Sequence, residues 1–600
     1  MQNFTELLAS IEIHSIKTQR IVPYQINMTS HLFSRFSKLY FHIFILLLLF
    51  PFGEVYSQTG QAYPFENGVV VSADEFASNA GVEILKKGGN AVDAAIAVQF
   101  TLAVTLPRAG NIGGGGFMVL HLNDGIVRAL DFREKAPENA NRDMYLDSDR
   151  NYNPDLSRKG ALAVGVPGTV DGMLNALERY GTLPLEVIME PAIDLAVNGY
   201  PLNYSHAADL NSKADEFRKF KSSTEYFLKP DGGKWKPGDI FVQKDLAQTL
   251  RRIARYGRNG FYSGVTANQI IEEMRRSGGI IRLNDLRNYK SVWREPVTAE
   301  FNGHNFYMMS PPGSGGIVIK QILGMIDDYP AEDHGFNSAS YIHLLSEAMR
   351  RAFADRNHFL GDPDFVDMPL DDLTSDEYTG FRMENYQSGK ASSSEEVSHG
   401  SPREITESPQ TTHFSVVDKN GNAVAVTTTL NGSFGSYMAV SNAGFLLNNE
   451  MDDFSAKPGE PNMFGLTGAE ANAIESGKRM LSSMTPTIVA KNGKVKIVTG
   501  AAGGPRIITA TLQNILNILL FDMNIQQAVS APRFHHQWLP DMLYIEEYGI
   551  SPDTQNLLVK FGHNLSVIEN IGRVHTVYVD EEGLKYGVAD SRGDGSTKGY

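Results

Sequence analysis

Hydrophobic and polar positions change period several times along this chain, and the changes mark its elements. In "GVVVSADEFASNAGVEILKKGGN" (Gly68–Asn90) a short apolar run gives way to apolar positions at helical spacing. This predicts a strand and then a helix, with Ser72 or Asp74 near its N-cap and Gly88–Gly89 past its end. Ala91–Val104 is apolar on nearly every side, the pattern of a helix with no solvent face. Phe117–Glu134 reads as a hairpin around Asn123-Asp124-Gly125. Helical periodicity then prevails from about Gly168 to Asp355, including "SYIHLLSEAMRRAFADR". No fixed-period repeat is visible, and the elements together predict a mixed α/β chain.

Two segments break the pattern. "FHIFILLLLF" (Phe41–Phe50) is an apolar run well short of the roughly 20 residues that a membrane span needs. Arg35 and Lys38 precede it, no acidic residue lies between Met28 and Gly53, and Val55–Ser57 offers a small residue for cleavage. These are the features of a signal peptide over residues 1–57, which predicts export to the periplasm or beyond; an uncleaved N-terminal anchor is the alternative. Met28 is a second candidate start. The other break is Ser388–Gln410, "SGKASSSEEVSHGSPREITESPQ", where Ser, Glu and Pro prevail and a mobile loop is expected. It stops at Thr411. There "THFSVVD" and "NAVAVTTTL" flank "KNGN", a hairpin with Asn420-Gly421 at its tip. A polar tether set against a strand that begins with threonine points to a cut between Gln410 and Thr411, giving chains 58–410 and 411–600.

Composition narrows the chemistry. With 600 residues, 42% of them hydrophobic and 20% charged, the chain can bury a sizeable core. A net charge of −15 argues against a nucleic-acid partner. The absence of cysteine excludes disulfides, thiolate catalysis and Cys-ligated metals. A threonine hydroxyl needs a base, and an N-terminal threonine carries its own in the α-amine, with a pKa near 8. Thr429, on the partner strand, falls opposite Thr411 and can donate a hydrogen bond to it. Threonine-rich strands are also simply good β-formers.

Other stretches carry paired readings. Glu450 and Asp453 in "LLNNEMDDFS" can hold a substrate ammonium or form a solvated acidic turn. Ser482 and Ser483 can hold a carboxylate or make a local turn. Gly503 and Gly504, between a strand and an apolar helix, can aim backbone amides at an oxyanion or serve a tight turn. Arg133 in "DFRE" can clamp a carboxylate or pair locally with Asp131 or Glu134. "NIGGGGFM" (Asn111–Met118) lacks the strand-to-helix context of a dinucleotide loop. His535 and His536 are adjacent and point opposite ways on a strand, which argues against a metal; no cofactor is expected.

Taken together, "NIGGGGFM", "DFRE", "TTHFSVVDKNGNAVAVT", "MDDFSAKPG", "SSM", "GGPRIIT" and "APRFHHQWLPD" resemble the γ-glutamyltranspeptidase family across nearly all of the mature chain. The resemblance implies the N-terminal-nucleophile hydrolase fold, an αββα sandwich of two sheets between helical layers. It also implies a precursor that cleaves itself into a large and a small subunit that remain together as a heterodimer. On that resemblance Thr411 is the nucleophile, Thr429 steadies it, and Gly503 and Gly504 form the oxyanion hole. Arg133 with Ser482 and Ser483 takes the substrate α-carboxylate, while Asn431, Glu450 and Asp453 surround its α-amino group. The implied substrates are glutathione and other γ-glutamyl compounds, with water or amino-acid and peptide acceptors. Three positions depart from the family pattern: Glu450 where many bacterial relatives have glutamine, Phe464 where a lid tyrosine is usual, and "GAAGG" in place of Ser–Pro before the glycine pair. The alternatives are a glutaryl acylase of the same superfamily and an exported binding protein that no longer catalyses.

Overall fold

A computed structural model describes residues 60–397 and 411–600; the predicted signal peptide and Gln410 lie outside the described residues. Two antiparallel sheets form the centre. The first runs, in spatial order, Ser596–Gly599, Val69–Ser72, Thr412–Val417, Ala423–Thr429, Gly115–His121, Val127–Asp131 and Val292–Arg294. The second runs Pro64–Phe65, Lys585–Ala589, Arg573–Val579, Lys494–Thr499, Thr487–Lys491, His304–Met308 and Val297–Phe301. Alternate side chains of each strand face opposite ways, so each sheet builds two cores. Val71, Phe117, Val119 and Ala425 of the first sheet meet Ile488, Val498 and Val577 of the second in one buried cluster. The outer faces, represented by Val70, Met118, Phe414 and Val426, and by Phe306, Met308, Val489 and Ile497, pack on helices. The result is the expected four-layer αββα sandwich.

Local signals account for the helices against the first sheet. Asp74, rather than Ser72, caps Glu75–Lys86 by accepting from the Phe76 and Ala77 amides. Asn90 and Asp93 form a reciprocal capping box at the start of Ala91–Thr105. All residues of that helix are buried, as its unbroken apolar pattern requires.

The hairpin that follows the proposed cut lies in the middle of the first sheet, between strands from the other side of the cut. Thr412–Val417 pairs with Val69–Ser72, and Ala423–Thr429 pairs with Gly115–His121. The glycine run makes that approach possible. A Cβ on Gly114 would collide with the Thr429 carbonyl oxygen, and one on Gly116 with that of Thr427.

Two expectations are corrected. Short strands at Val292–Arg294, Val297–Phe301 and His304–Met308 interrupt the largely helical stretch; the first two are edge strands, one of each sheet, and all three are only three to five residues long, too short to stand out among helical periods. The mobile loop expected from Ser388 is anchored at its start. Ser394 donates its hydroxyl to the Trp538 carbonyl at 2.6 Å and its amide to Asp541 at 2.8 Å, and Val397 is buried. Residues 398–410 lie outside the described residues. Among the described residues, no helix is long and apolar enough to cross a membrane.

Candidate active site

The register Thr412↔Thr428 carries Thr411 to a position opposite Thr429. Both are buried, and both line one cavity. The three threonines at the end of the partner strand have separate tasks. Thr427 bonds His413 Nδ1 at 2.9 Å, and Thr428 donates to the Gly115 carbonyl at 3.0 Å. Thr429 turns to the cavity, its hydroxyl accepting from the Asn431 amide at 2.8 Å. Asn431 makes that contact from a left-handed backbone (φ 72°), which asparagine tolerates.

The same cavity is lined by Arg133, Asn431, Asp453, Ser482, Ser483 and Gly504. Gly504 (φ 58°) follows Gly503 (φ 143°), and both precede the helix Arg506–Leu519. Left-handed glycines at a helix N-terminus leave backbone amides unclaimed by the helix. Gly503 does not itself line the cavity, and neither does Glu450, which is fully buried behind Arg133.

Neither of the local pairings open to Arg133 describes it fully. Its side chain ties together the two acids expected to hold an ammonium, reaching Asp453 at 2.5 Å and Glu450 at 2.5 Å, with Glu134 farther off at 3.6 Å. From Arg133, Asp131 takes only the backbone amide, at Oδ1, while its Oδ2 pairs with Arg294 and Arg479. Three buried carboxyls around one guanidinium cannot all ionise comfortably. Burial lifts Asp453 to about 6 against the pull of Arg133. It lifts Glu134 to about 8 and Glu450 well above its ordinary range, again against Arg133. Near neutral pH the charge facing the cavity is therefore that of Asp453, balanced by Arg133.

Several residues of the site had no signal in the sequence. Arg356, buried in the last turn of helix Ala339–Phe359, lines the cavity and donates to Ser483 Oγ at 3.1 Å. Its arginine-rich helix reads as an ordinary amphipathic one. Asn462 and Asp452 fasten the lid-like segment 458–468. The Met463 amide donates to Asp452 at 2.9 Å, and Asn462 Nδ2 donates to Asp453 at 3.3 Å. Phe464 is buried in that segment, its ring close to Gly504, and its carbonyl accepts from Gln537 at 3.3 Å.

The adjacent histidines do diverge: His535 bonds Thr509 at 2.8 Å and Gln537 at 2.9 Å, whereas His536 faces Asp541 at 3.3 Å. A different group, His343, Glu347 and His563, brings potential ligand atoms within 4.8 Å of one another. It suits a cation poorly. His343 Nδ1 and His563 Nε2 are already hydrogen-bonded at 2.8 Å, and Glu347 binds Arg351 at 2.7 Å with Arg350 beside it. Against the opposing effect of burial, the two arginines hold the Glu347 carboxyl down to about 2.

Comparison with known proteins agrees with the geometry. The gamma-glutamyltranspeptidase family model matches residues 77–600. The glutathione hydrolase proenzyme of Escherichia coli (strain K12) is 46% identical over 536 residues, 89% of this chain and 92% of that protein. Among solved structures, a cephalosporin acylase from Bacillus halodurans superposes with a TM-score of 0.81 at 26% identity, covering 92% of this chain and 99% of its own. A chain of Helicobacter pylori gamma-glutamyltranspeptidase is 43% identical with a TM-score of 0.53, covering 56% of this chain and 94% of its own.

Proposed function

Because the chain belongs to the γ-glutamyltranspeptidase family, we propose that it is an exported γ-glutamyltransferase and glutathione hydrolase that works through Thr411. The observation that carries this reading is a single cavity shared by paired threonines, a guanidinium and an acid: Thr411 and Thr429 for the acyl carbon, Arg133 and Asp453 for a zwitterion.

Maturation comes first. The Thr411 hydroxyl attacks the Gln410 carbonyl, the peptide nitrogen leaves as an amine, and water hydrolyses the resulting ester. The products are chains 58–410 and 411–600, held together by the intercalated hairpin. In turnover the new α-amine takes the hydroxyl proton as Thr411 Oγ attacks the γ-carbonyl. The amides of Gly503 and Gly504 receive the oxyanion. Collapse expels the amine of the donor, which takes up the proton, and leaves a γ-glutamyl ester on Thr411. Water or the amino group of an amino acid or peptide then accepts the acyl group. Thr429 orients the nucleophile, while Arg133, Ser482, Ser483, Asn431 and Asp453 position the α-carbon end, several bonds from the reaction. Glu450 supports Arg133 from behind. Glutathione is the natural candidate donor.

An acylase of glutaryl amides would have no use for Asp453 in the cavity. The test is nitroaniline release by the purified protein from γ-glutamyl-p-nitroanilide and from glutaryl-p-nitroanilide. Preference for the γ-glutamyl compound, with faster release when an amino acid or dipeptide acceptor is added, is expected. Preference for the glutaryl compound would overturn the reading.

A further inference from the structure

The cavity holds two guanidinium groups, and they are in opposite electrostatic situations. Arg133 is surrounded by carboxyls. Arg356 is buried just as deeply, with 4% of its surface exposed, yet its three contacts are all neutral. Nε donates to Ser314 Oγ at 2.9 Å, one terminal nitrogen to Asn357 Oδ1 at 2.9 Å, and the other to Ser483 Oγ at 3.1 Å. Asp453 is the acid that acts on it through space, and Asp453 is already bound to Arg133. A buried cation without a counter-ion is unfavourable. Burial accordingly pulls Arg356 down to about 10, still protonated at neutral pH.

The bonds that Arg356 does make organise the wall of the cavity. Ser483 Oγ accepts from it, so the serine's own proton is left to donate elsewhere. Ser314 Oγ also accepts from it and passes its proton to the Ser482 carbonyl at 2.6 Å. One guanidinium thereby fixes the hydroxyl of one serine and the backbone of the other. A further N–H remains on each terminal nitrogen. Beside it Asn357 Nδ2, on the same cavity, is buried without a partner among the described residues. This wall consists of donors around an uncompensated positive charge, and the group it suits is a carboxylate.

We propose that Arg356 is a positioning residue for the substrate α-carboxylate, holding the Ser482–Ser483 wall and adding a second cationic charge to that of Arg133. The inference rests on the γ-glutamyl reading and deepens it: selectivity for the α-carboxylate comes from a pair of arginines, with Arg356 giving its share through Ser483.

The experiment compares two substrates on the cleaved two-chain protein. γ-Glutamyl-p-nitroanilide carries the α-carboxylate; 4-aminobutanoyl-p-nitroanilide has the same amine and acyl chain without it. Arg356→Gln should raise KM for the first by about 10- to 100-fold with kcat within about threefold, and leave kcat/KM for the second nearly unchanged. Arg356→Lys, which keeps the charge but cannot span Ser314 and Ser483 together, should raise the first KM by about three- to tenfold. It also carries the test should the glutamine variant fail to fold. Equal losses on both substrates, or no loss on the first, overturn the inference while leaving the γ-glutamyl reading intact. A wild type that ignores the γ-glutamyl anilide overturns both.

Discussion

At the scale of single residues, the unliganded site is held together by the groups that would receive the substrate. Arg133 and Asp453 neutralise each other across 2.5 Å, so a zwitterion enters by exchanging one ion pair for two. Asp453 is the member that titrates in the accessible range. Its carboxyl is raised by burial to about 6, above its ordinary value, so it takes up a proton as pH falls through 6, and the charge proposed to hold the ammonium disappears below that. kcat/KM for γ-glutamyl amides should therefore fall by a further tenfold or so per unit below pH 6, on top of the limb set by the Thr411 amine near 8. Asp453→Asn should remove this limb and lower kcat/KM about 10- to 100-fold at pH 8. Glutaryl amides, which lack the amine, should show neither effect; equal losses on both substrates would count against the assignment. Glu450 behaves differently. Burial raises this carboxyl well above its range against the pull of Arg133, which favours its neutral form, and Glu450→Gln should change KM by less than about threefold. A larger change would show that Glu450 is ionised against Arg133. The sequence made Glu450 and Asp453 legible because they lie three apart after an apolar strand. It could not separate their roles, since only the fold turns Asp453 to the cavity, Glu450 behind Arg133 and Asp452 to the lid segment.

At the scale of elements, the site depends on a hairpin being inserted between two strands, one of which needs glycine to admit it. Gly114 lies against the Thr429 carbonyl and accepts no side chain without displacing it. Gly114→Ala should push the Thr429 end of the strand away from Thr411, destabilise the protein by about 1–3 kcal/mol and slow chain cleavage. Cleavage at the wild-type rate, followed on a denaturing gel, would show that the hairpin position is not what places Thr411. This hairpin was legible because the Asn-Gly tip and the alternation on either side of it are local signals. The glycine run was recognised as unsuited to a dinucleotide, but its purpose depends on a strand more than 300 residues away. Edge strands such as Val297–Phe301 escaped because five alternating residues are too short a run to stand out within a largely helical stretch. Arg356 escaped for a related reason: in sequence a charged residue near a helix end reads as surface, and only packing of that helix against the Ser482–Ser483 loop buries it.

At the scale of the whole molecule, both sheets and the candidate site draw on residues from either side of residue 410. Strands before it flank the hairpin after it; Arg133 and Arg356 come from one side, and Thr411, Asp453 and Ser483 from the other. A chain cut at that point would keep its core, because the segments share buried faces rather than a single linker. The central claim is that the protein makes its own nucleophile there. Intact mass measurement of the purified wild type and of Thr411→Ala tests it most directly. The wild type should give two chains, the smaller beginning at Thr411, and a γ-glutamyl adduct on that chain when stopped during turnover. Thr411→Ala should give one uncut chain, no adduct and no activity; a Thr411→Ala protein still divided between residues 410 and 411 would contradict the account.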